Sequence, residues 1–163
     1  MGTDIYEVIE IRREGQWEVA HLLPLLDTNK SFSDPEWEKH WSHPAFINRN
    51  YRLFSVLANV RNSFGIPPID TARGLPQDAS AESRQRFSYH SYSPTRNSPQ
   101  LTWVSLRELL AYDWDQWTTD SRHGHEPPRS LREEVEPFYP ITLPYLRSLV
   151  KNPDDLRLIC DFD

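Results

Sequence analysis

The amino-acid sequence predicts an α+β fold, a single domain in which several helices pack on a mostly antiparallel sheet. Residues 4–11 and the closing segment LRLICDF (156–162) alternate between two faces, as strands with a buried face do. Between these segments, residues 49–62 and 105–114 carry apolar stripes with helical spacing. Because small α+β domains usually tie their termini into the sheet, we expect the amino- and carboxyl-terminal strands to be neighbours.

The composition fits one folded domain spanning residues 1–163. Hydrophobic residues make up 37%, and six Trp, seven Tyr and seven Phe concentrate the apolar area in aromatic rings. Eighteen basic against twenty-four acidic side chains give a net charge of −6, which argues against bulk binding to nucleic acid or an anionic membrane. A local group of arginines that grips one small anion is compatible with this balance.

Cys160 is the only cysteine, so no disulfide within the chain and no cysteine zinc site can form. The opening residues are charged from Asp4 onward and do not fit a signal peptide or a membrane anchor. No apolar run approaches the length of a membrane span. These features lead us to expect a cytoplasmic protein without a membrane partner.

The first two strands are predicted to form an antiparallel hairpin, with REGQ (13–16) as the turn and WEVAHLL (17–23) as the returning strand. A polar, Trp-rich insertion follows at residues 27–48, which we interpret as a lid or an association element. Within it, SDPEWEKHW (33–41) predicts a short helix, because Ser33 or Asp34 can cap it and Pro35 suits its first turn.

The segment at residues 49–62 is the clearest predicted helix. Its apolar stripe consists of Leu53, Leu57 and Val60, flanked by Phe54 and Val56. Its opposite face consists of Arg52, Ser55, Asn59 and Asn62. Gly65 and the pair Pro67-Pro68 are expected to end this helix.

Further helices are predicted in the segments DASAESRQRF (78–87), WVSLRELLAYDW (103–114), RSLREEVEP (129–137) and TLPYLRSLVKN (142–152). Asp78 or Ser80 is the expected cap of the first of these helices. Ser105 and Glu108 have capping-box spacing in the second. Asn152 and the proline after it close the last helix before the final strand.

Residues 72–93 place three arginines, a histidine and several hydroxyl groups in the middle of the chain. Arg73 presents a rigid fork of donors that suits a phosphate or a carboxylate, and Gly74 lets backbone approach a ligand closely. In the alternative interpretation, Arg73 pairs with Asp70 or Asp78 and only pins its loop.

Other residues can complete a polar pocket around Arg73. His90, Ser91 and Tyr92 add a ring that can donate or accept and two hydroxyl groups. Tyr92 or Trp103 can provide a stacking surface. Arg61 is expected at the edge of the buried helical stripe, where its charge needs a partner. That partner is either an acidic residue of the first strand, Glu7 or Glu10, or the phosphate of a ligand.

No complete motif for metal binding or catalysis is visible. Asp4 and Glu10 are separated by roughly 20 Å along a strand and cannot share one ion. The histidines of HGH (123–125) lie in a polar loop without a third ligand. His40 and His43 in EKHWSHP (38–44) have a spacing that metals accept, but we expect aromatic packing around Trp37 and Trp41 there. The chain has no P-loop, no G-x-G-x-x-G, no H-E-x-x-H and no G-x-S-x-G. We therefore expect no metal and no cofactor.

Several segments resemble, in the same order, a widespread family of small uncharacterised phage and bacterial proteins. They are DIYEVIEIRREGQWE, RNYRLFSVLANVRN, RGLPQDASAES, HSYS followed by WVSLRELLAYDWDQ, and LRLICDFD. The resemblance spans both ends and the middle, with residues 27–48 and 94–102 as apparent insertions. In that family the opening resembles Asp-Ile-His, whereas this chain has Tyr6 in the histidine position, which argues against a catalytic or metal role for the opening strand.

The resemblance implies that residues 72–93 form a site rather than a surface loop. The positions that match the family are Arg49, Asn50, Arg61, Asn62, Arg73, Gly74, His90 and Ser91. The candidate ligand-binding residues are therefore Arg73, Gly74, His90, Ser91, Tyr92, Arg61, Asn62, Arg49, Trp103 and Tyr6.

The resemblance to phage proteins suggests a function by analogy. Some small phage proteins without catalytic machinery sequester the nucleotide messengers of bacterial immunity. The first hypothesis is therefore a ligand-binding protein, expected as a homo-oligomer in the host cytoplasm, that sequesters a phosphate-bearing nucleotide signal. The second is a hydrolase that cleaves such a molecule, with His90 as acid or base. The third is an interaction module whose Trp-rich insertion docks on a host factor.

Overall fold

The computed structural model describes residues 2–88 and 100–163. Its strands are β1 (Ile5–Arg13), β2 (Gln16–Val19), β3 (Thr102–Ser105), β4 (Trp117–Thr118), β5 (Arg129–Ser130) and β6 (Leu156–Phe162). Its α-helices are α1 (Pro35–Trp41), α2 (Tyr51–Ala58), α3 (Ala81–Ser88), α4 (Leu106–Ala111), α5 (Leu131–Glu134) and α6 (Leu143–Ser148). A π-helical turn at Phe138–Thr142 leads into α6, and short 3₁₀ turns occupy Ser121–His123 and Pro153–Asp155.

A four-stranded antiparallel sheet in the order β2-β1-β6-β3 forms the centre of the fold. The amino- and carboxyl-terminal strands pair over residues 5–11 and 156–162, with Val8 opposite Ile159. The predicted α+β class and the predicted adjacency of the terminal strands are thus confirmed. The hairpin is also present, and its turn places Glu14 and Gly15 at φ values of 52° and 77°, as a tight two-residue turn requires.

The main core lies on one face of this sheet and is closed by α2, α4, α5 and α6. Its fully buried members include Phe54, Leu57, Val104, Leu106, Leu109, Leu131, Leu146, Leu158 and Phe162. Rings of Phe54 and Phe162 lie 4.9 Å apart and join α2 to the last strand. The predicted apolar stripe of α2 therefore packs on the sheet, and its burial is the main source of the helix's stability.

Helix α2 is shorter than predicted. Asn50 caps its start by accepting from the Leu53 amide at 3.0 Å. The helix ends at Ala58 because Asn59 adopts the left-handed conformation (φ 58°), so Gly65 and the prolines lie beyond its end. Ser55, expected on the exposed face, is fully buried and donates to the Tyr51 carbonyl at 2.7 Å.

Residues 102–105 form strand β3 rather than the first turn of a helix. Thr102 and Val104 are buried while Trp103 and Ser105 are only partly buried, which is the alternation of a strand. The free edge of β6 supplies the hydrogen-bonding partner that a local pattern cannot reveal. The predicted capping box is confirmed at the start of α4. The Ser105 side chain accepts from the Glu108 amide, and the Glu108 side chain accepts from the Ser105 amide.

The helix in the Trp-rich segment is present as α1, with Asp34 as its cap and Pro35 in the first turn. Its Trp37 and Trp41 rings lie 5.8 Å apart and contact Phe32. Nothing in α1 is fully buried, and Phe32 is 71% exposed. Within residues 2–88 and 100–163, no helix is long and apolar enough to cross a membrane.

The core assignment predicts different costs for two adjacent leucines of α4. Leu109→Ala should lower the free energy of unfolding by about 2–5 kcal/mol, because Leu109 is fully buried and its removal leaves a cavity. Leu110→Ala, in which the lost side chain is 40% exposed, should change it by less than about 1 kcal/mol. Urea unfolding of both variants tests the assignment, which equal losses would contradict.

Candidate functional site

The second face of the sheet is polar and aromatic rather than uniformly apolar. Because directly opposed residues in antiparallel strands share a face, the strand register assigns this face. Its residues are Tyr6, Val8, Glu10 and Arg12 from β1, Trp17 and Val19 from β2, Arg157, Ile159 and Asp161 from β6, and Trp103 and Ser105 from β3. Helix α3 covers part of it through Phe87, which packs with Val8 and Ile159 in a small second core.

A buried ion pair joins the two terminal strands on this face. Arg157 Nε donates to Glu10 Oε1 at 2.8 Å, and both side chains are almost fully buried. The second carboxylate oxygen of Glu10 accepts from the Ser80 amide and the Ser83 hydroxyl, each at 2.9 Å. Burial alone would raise the pKa of Glu10, but hydrogen bonds from Ser80, Arg157 and Ser83 outweigh it and lower that pKa. Glu10 therefore holds the start of α3 on the sheet as a carboxylate.

Three arginines and two tryptophans alternate across the face. Arg12 and Arg157 lie over the Trp17 ring, at 5.2 and 3.9 Å from its centroid. Arg157 and Arg73 lie over the Trp103 ring, at 5.8 and 4.9 Å. We call these five residues the arginine–tryptophan ladder. Its cation–π contacts keep each guanidinium close to an indole while part of every ring stays exposed.

Arg73 enters the ladder from the loop before α3. Its guanidinium donates to Glu108 Oε1 and Oε2 at 2.6 and 2.9 Å and to Asp70 Oδ2 at 2.9 Å. The loop is tied to β3, because the Gly74 amide donates to the Leu101 carbonyl at 2.8 Å, and Gly74 has the left-handed φ of 76°. The alternative interpretation is thus correct that Arg73 pairs with Asp70, whereas Asp78 pairs with Arg157.

The ladder borders an open groove of about 950 Å³. Its lining residues are Arg12, Trp17, Arg73, Leu75, Pro76, Gln77, Asp78, Trp103, Ser105, Glu108, Asp154 and Arg157. Arg73 and Arg157 each have an inner and an outer acidic partner. The inner side chains, Glu108 and Glu10, are 34% and 0% exposed, whereas the outer ones, Asp70 and Asp78, are 49% and 67% exposed.

Several sequence-predicted residues do not line this groove. Arg61 lies beyond the end of α2 at φ 54°, where its Nε donates to Thr3 Oγ1 at 2.8 Å, and it borders a separate polar pocket of about 530 Å³. Its expected position on the α2 stripe is therefore wrong, because the helix ends before it. The Asn62 side chain closes a turn, because it donates to the Ile66 carbonyl and accepts from the Ile66 amide. Arg49 Nε donates to Asp4 Oδ1 at 2.7 Å.

Tyr6 and Trp103 share the second sheet face, but only Trp103 lines the groove. Tyr6 is 44% exposed and lies opposite Asp161, nearer the other end of the sheet. His90, Ser91 and Tyr92 lie outside the described residues. Of the ten predicted site residues, the structure thus brings Arg73 and Trp103 together in the groove, with Gly74 beside them.

Sequence reasoning missed Arg12, Trp17 and Arg157. One signal was present, since Arg157 is the single basic residue of the closing strand. Because successive side chains of a strand point to opposite faces, Arg157 lies on the other face from Leu156 and Leu158, which is the second face of the sheet. Its neighbours on that face follow only from the register with β1 and β3.

Cys160 has the predicted role of a small buried hydrophobe. It is fully buried in β6, and burial raises the pKa of its thiol well above the ordinary value. Among residues 2–88 and 100–163, no three His, Cys, Asp or Glu side chains are grouped closely enough to hold a metal ion.

Comparison with known proteins does not assign the chain to a family. No family model matches it, no curated protein matches it, and no solved structure matches it. The resemblance to small phage and bacterial proteins therefore stays a prediction.

The ion pair between Glu10 and Arg157 should dominate the response to substitution on this face. Glu10→Gln should cost up to about 3–5 kcal/mol near pH 7, because it removes the buried carboxylate and leaves Arg157 with the exposed Asp78 as its acidic partner. Glu14→Gln, in the exposed hairpin turn, is the control and should change stability by less than about 0.5 kcal/mol.

The same pair predicts a pH dependence. Because the pKa of Glu10 is lowered in the folded state, its carboxylate stabilises the protein above the ordinary pKa, and this contribution is lost as pH falls through the lowered value. The stability gap between wild type and Glu10→Gln should be constant above about pH 5 and shrink below about pH 4. Urea unfolding across this range measures the gap, and a gap that grew on acidification would contradict the assignment.

Proposed function

We propose that this protein is a non-catalytic binding protein that sequesters a phosphate-bearing, nucleotide-like ligand in the groove beside the arginine–tryptophan ladder. The observation that carries the proposal is the presence of three guanidinium groups and two indole rings in one groove. Guanidinium groups match the geometry of phosphate oxygens, and indole rings suit the flat face of a base.

The acidic partners of the arginines are arranged in a way that permits such a ligand. The inner acids, Glu10 and Glu108, hold Arg157 and Arg73 in position. The outer acids, Asp78 and Asp70, are exposed, so solvent and salt screen their attraction to the arginines more than that of the inner acids. A phosphate can therefore replace an outer carboxylate more easily than an inner one, while the inner one keeps the guanidinium oriented.

The tryptophans contribute the second half of the recognition. Trp17 is held by a hydrogen bond from its Nε1 to Asp78 Oδ2 at 3.1 Å, and both tryptophans are partly exposed. Each ring thus keeps an exposed part beside the guanidinium groups. The base of a nucleotide can then stack on that surface, a contact that contributes roughly 1–3 kcal/mol per base in other proteins.

The described groove favours binding over chemistry. Among its described lining residues, Ser105 carries the hydroxyl group, and that hydroxyl caps α4 by accepting from the Glu108 amide at 3.1 Å. The carboxylates of the groove are hydrogen-bonded to arginines, which disfavours a role as general base. This arrangement supports sequestration rather than turnover.

Arg73→Ala tests the site directly. With a mononucleotide, a cyclic dinucleotide and inorganic phosphate as probes, isothermal titration should show a loss of about thirtyfold in affinity, since a buried charge-assisted contact is worth about 2 kcal/mol. Arg147→Ala is the control, because Arg147 is exposed, lies outside the groove and donates to the Val150 carbonyl. Equal affinities in both variants, with both folded, would refute the site.

Asp78→Asn gives a prediction of opposite sign. Removing an exposed carboxylate that competes for Arg157 should strengthen binding of an anionic probe, by about threefold to tenfold at low salt. A weaker anion affinity in this variant would contradict the proposed replacement of the outer acid by a phosphate.

The fate of the ligand separates binding from catalysis. Under sequestration, the bound probe should be recovered chemically unchanged after heat denaturation of the complex. Liquid chromatography with mass spectrometry measures this, and recovery of a cleaved probe would show that the protein is a hydrolase.

A further inference from the structure

A second cavity, independent of the groove, lies along the edge of β1. Strand β2 pairs with β1 only over residues 10–13, and beyond it the chain follows the edge, with the Ala20 amide donating to the Ile9 carbonyl at 2.8 Å. The cavity measures about 280 Å³, at the small end of the range for ligand pockets. Its apolar lining consists of Val8, Ile9, Val19, Ala20, Leu22, Leu23, Pro24, Leu25, Leu26 and Ala45.

The wall of this cavity contains an acidic residue, Glu7. The backbone amides of Glu7 and Ile47 favour its ionised form and act to lower its pKa. Burial nevertheless dominates and raises the pKa of Glu7 to about 7, because two neutral amides do not compensate a desolvated charge. A cation placed on this carboxylate would compensate it.

Helix α1 contributes a second polar group. The His40 ring is held between Phe46 and Trp37, at centroid distances of 5.5 and 6.5 Å, and lines the cavity. Its Nδ1 atom is buried and has no hydrogen-bond partner among the described residues. A buried nitrogen of this kind is costly to leave unpaired, and the rest of the ring borders the cavity.

The charges near the cavity mouth compensate one another. His21 Nε2 and Arg86 Nη2 each lie 3.1 Å from a carboxylate oxygen of Glu82. The mouth therefore offers no strong field of one sign. Discrimination among ligands is left to the groups on the inner wall, Glu7 and His40.

We propose that this cavity binds a small amphiphilic amine, with its apolar chain among the leucines and its ammonium group on Glu7. The chain removes apolar surface from water, and the ammonium supplies the counter-charge that the carboxylate lacks.

The charge states of all facing groups set the pH dependence. Glu7 on β1 must be ionised to hold the ammonium, and His40 on α1 also lines the cavity. Arg86 on α3 keeps its charge across the range, and His21 after β2 adds positive charge only when protonated. Amine affinity should therefore fall as pH drops below about 7, by up to about tenfold per unit.

The experiment uses three probes with the same chain and different heads: hexylamine, hexanol and hexanoate. Titration of the full chain at pH 8, followed by ¹H–¹⁵N NMR at the amides of Ile9 and Ala45, should show hexylamine binding at least about tenfold more tightly than the other two. Glu7→Gln should remove this preference while hexanol binding persists, which shows that the cavity is intact. Glu18→Gln, an exposed acid of the same hairpin, should keep it.

Two outcomes would overturn the proposal. One is a preference for hexanoate, which would show that the cavity is basic in character. The other is the absence of amine-induced shifts at these amides up to about 10 mM, a level that corresponds to no useful affinity. Neither outcome bears on the groove, because Glu7 and the arginine–tryptophan ladder face opposite sides of β1.

Discussion

The buried ion pair between Glu10 and Arg157 is the interaction on which the second face of the sheet depends. It joins residues separated by 147 positions and connects the first strand to the last. Ser80 and Ser83 bind the same carboxylate, so the start of α3 is fixed by it as well. A buried charge pair adds little net stability compared with a well-packed apolar pair, but removing one partner is costly. The pair therefore acts mainly by permitting one register and one docking position for α3.

The ion pair between Glu10 and Arg157 also sets the geometry of the groove. Arg157 is held by Glu10 and lies between the rings of Trp17 and Trp103. It therefore contacts a side chain of β2 on one side and a side chain of β3 on the other. Arg73 repeats the scheme at the other end of the ladder, with Glu108 as the inner acid. In both cases the inner carboxylate orients the guanidinium, and the exposed outer carboxylate forms a second ion pair with it. In the binding function that we propose, such preorganisation would lower the entropic cost of binding, because the donors would not have to be ordered by the ligand.

Strand β1 shows how environment alone sets the behaviour of two like residues. Glu7 and Glu10 are three positions apart, so they face opposite sides of the strand. Burial raises the pKa of Glu7 to about 7, whereas Glu10, despite its burial, has a lowered pKa because Arg157 and two serines bind it. One strand thus carries a structural carboxylate whose pKa is lowered and a carboxyl group whose pKa is raised.

Local sequence was sufficient for the elements whose signals lie within a few residues. The hairpin, the cap of α1, the capping box of Ser105 and Glu108, and the alternation of the last strand were all predictable, since each depends on neighbours in the chain. The candidate site was only partly predictable: Arg73 and Trp103 stood out by residue type, but Arg12, Trp17 and Arg157 did not. Tertiary structure alone decided that residues 102–105 form a strand, that α2 ends before Arg61, and that Glu10 meets Arg157. The physical reason is that pairing between distant strands sets which side chains share a face, and that register is a property of the whole sheet rather than of any segment.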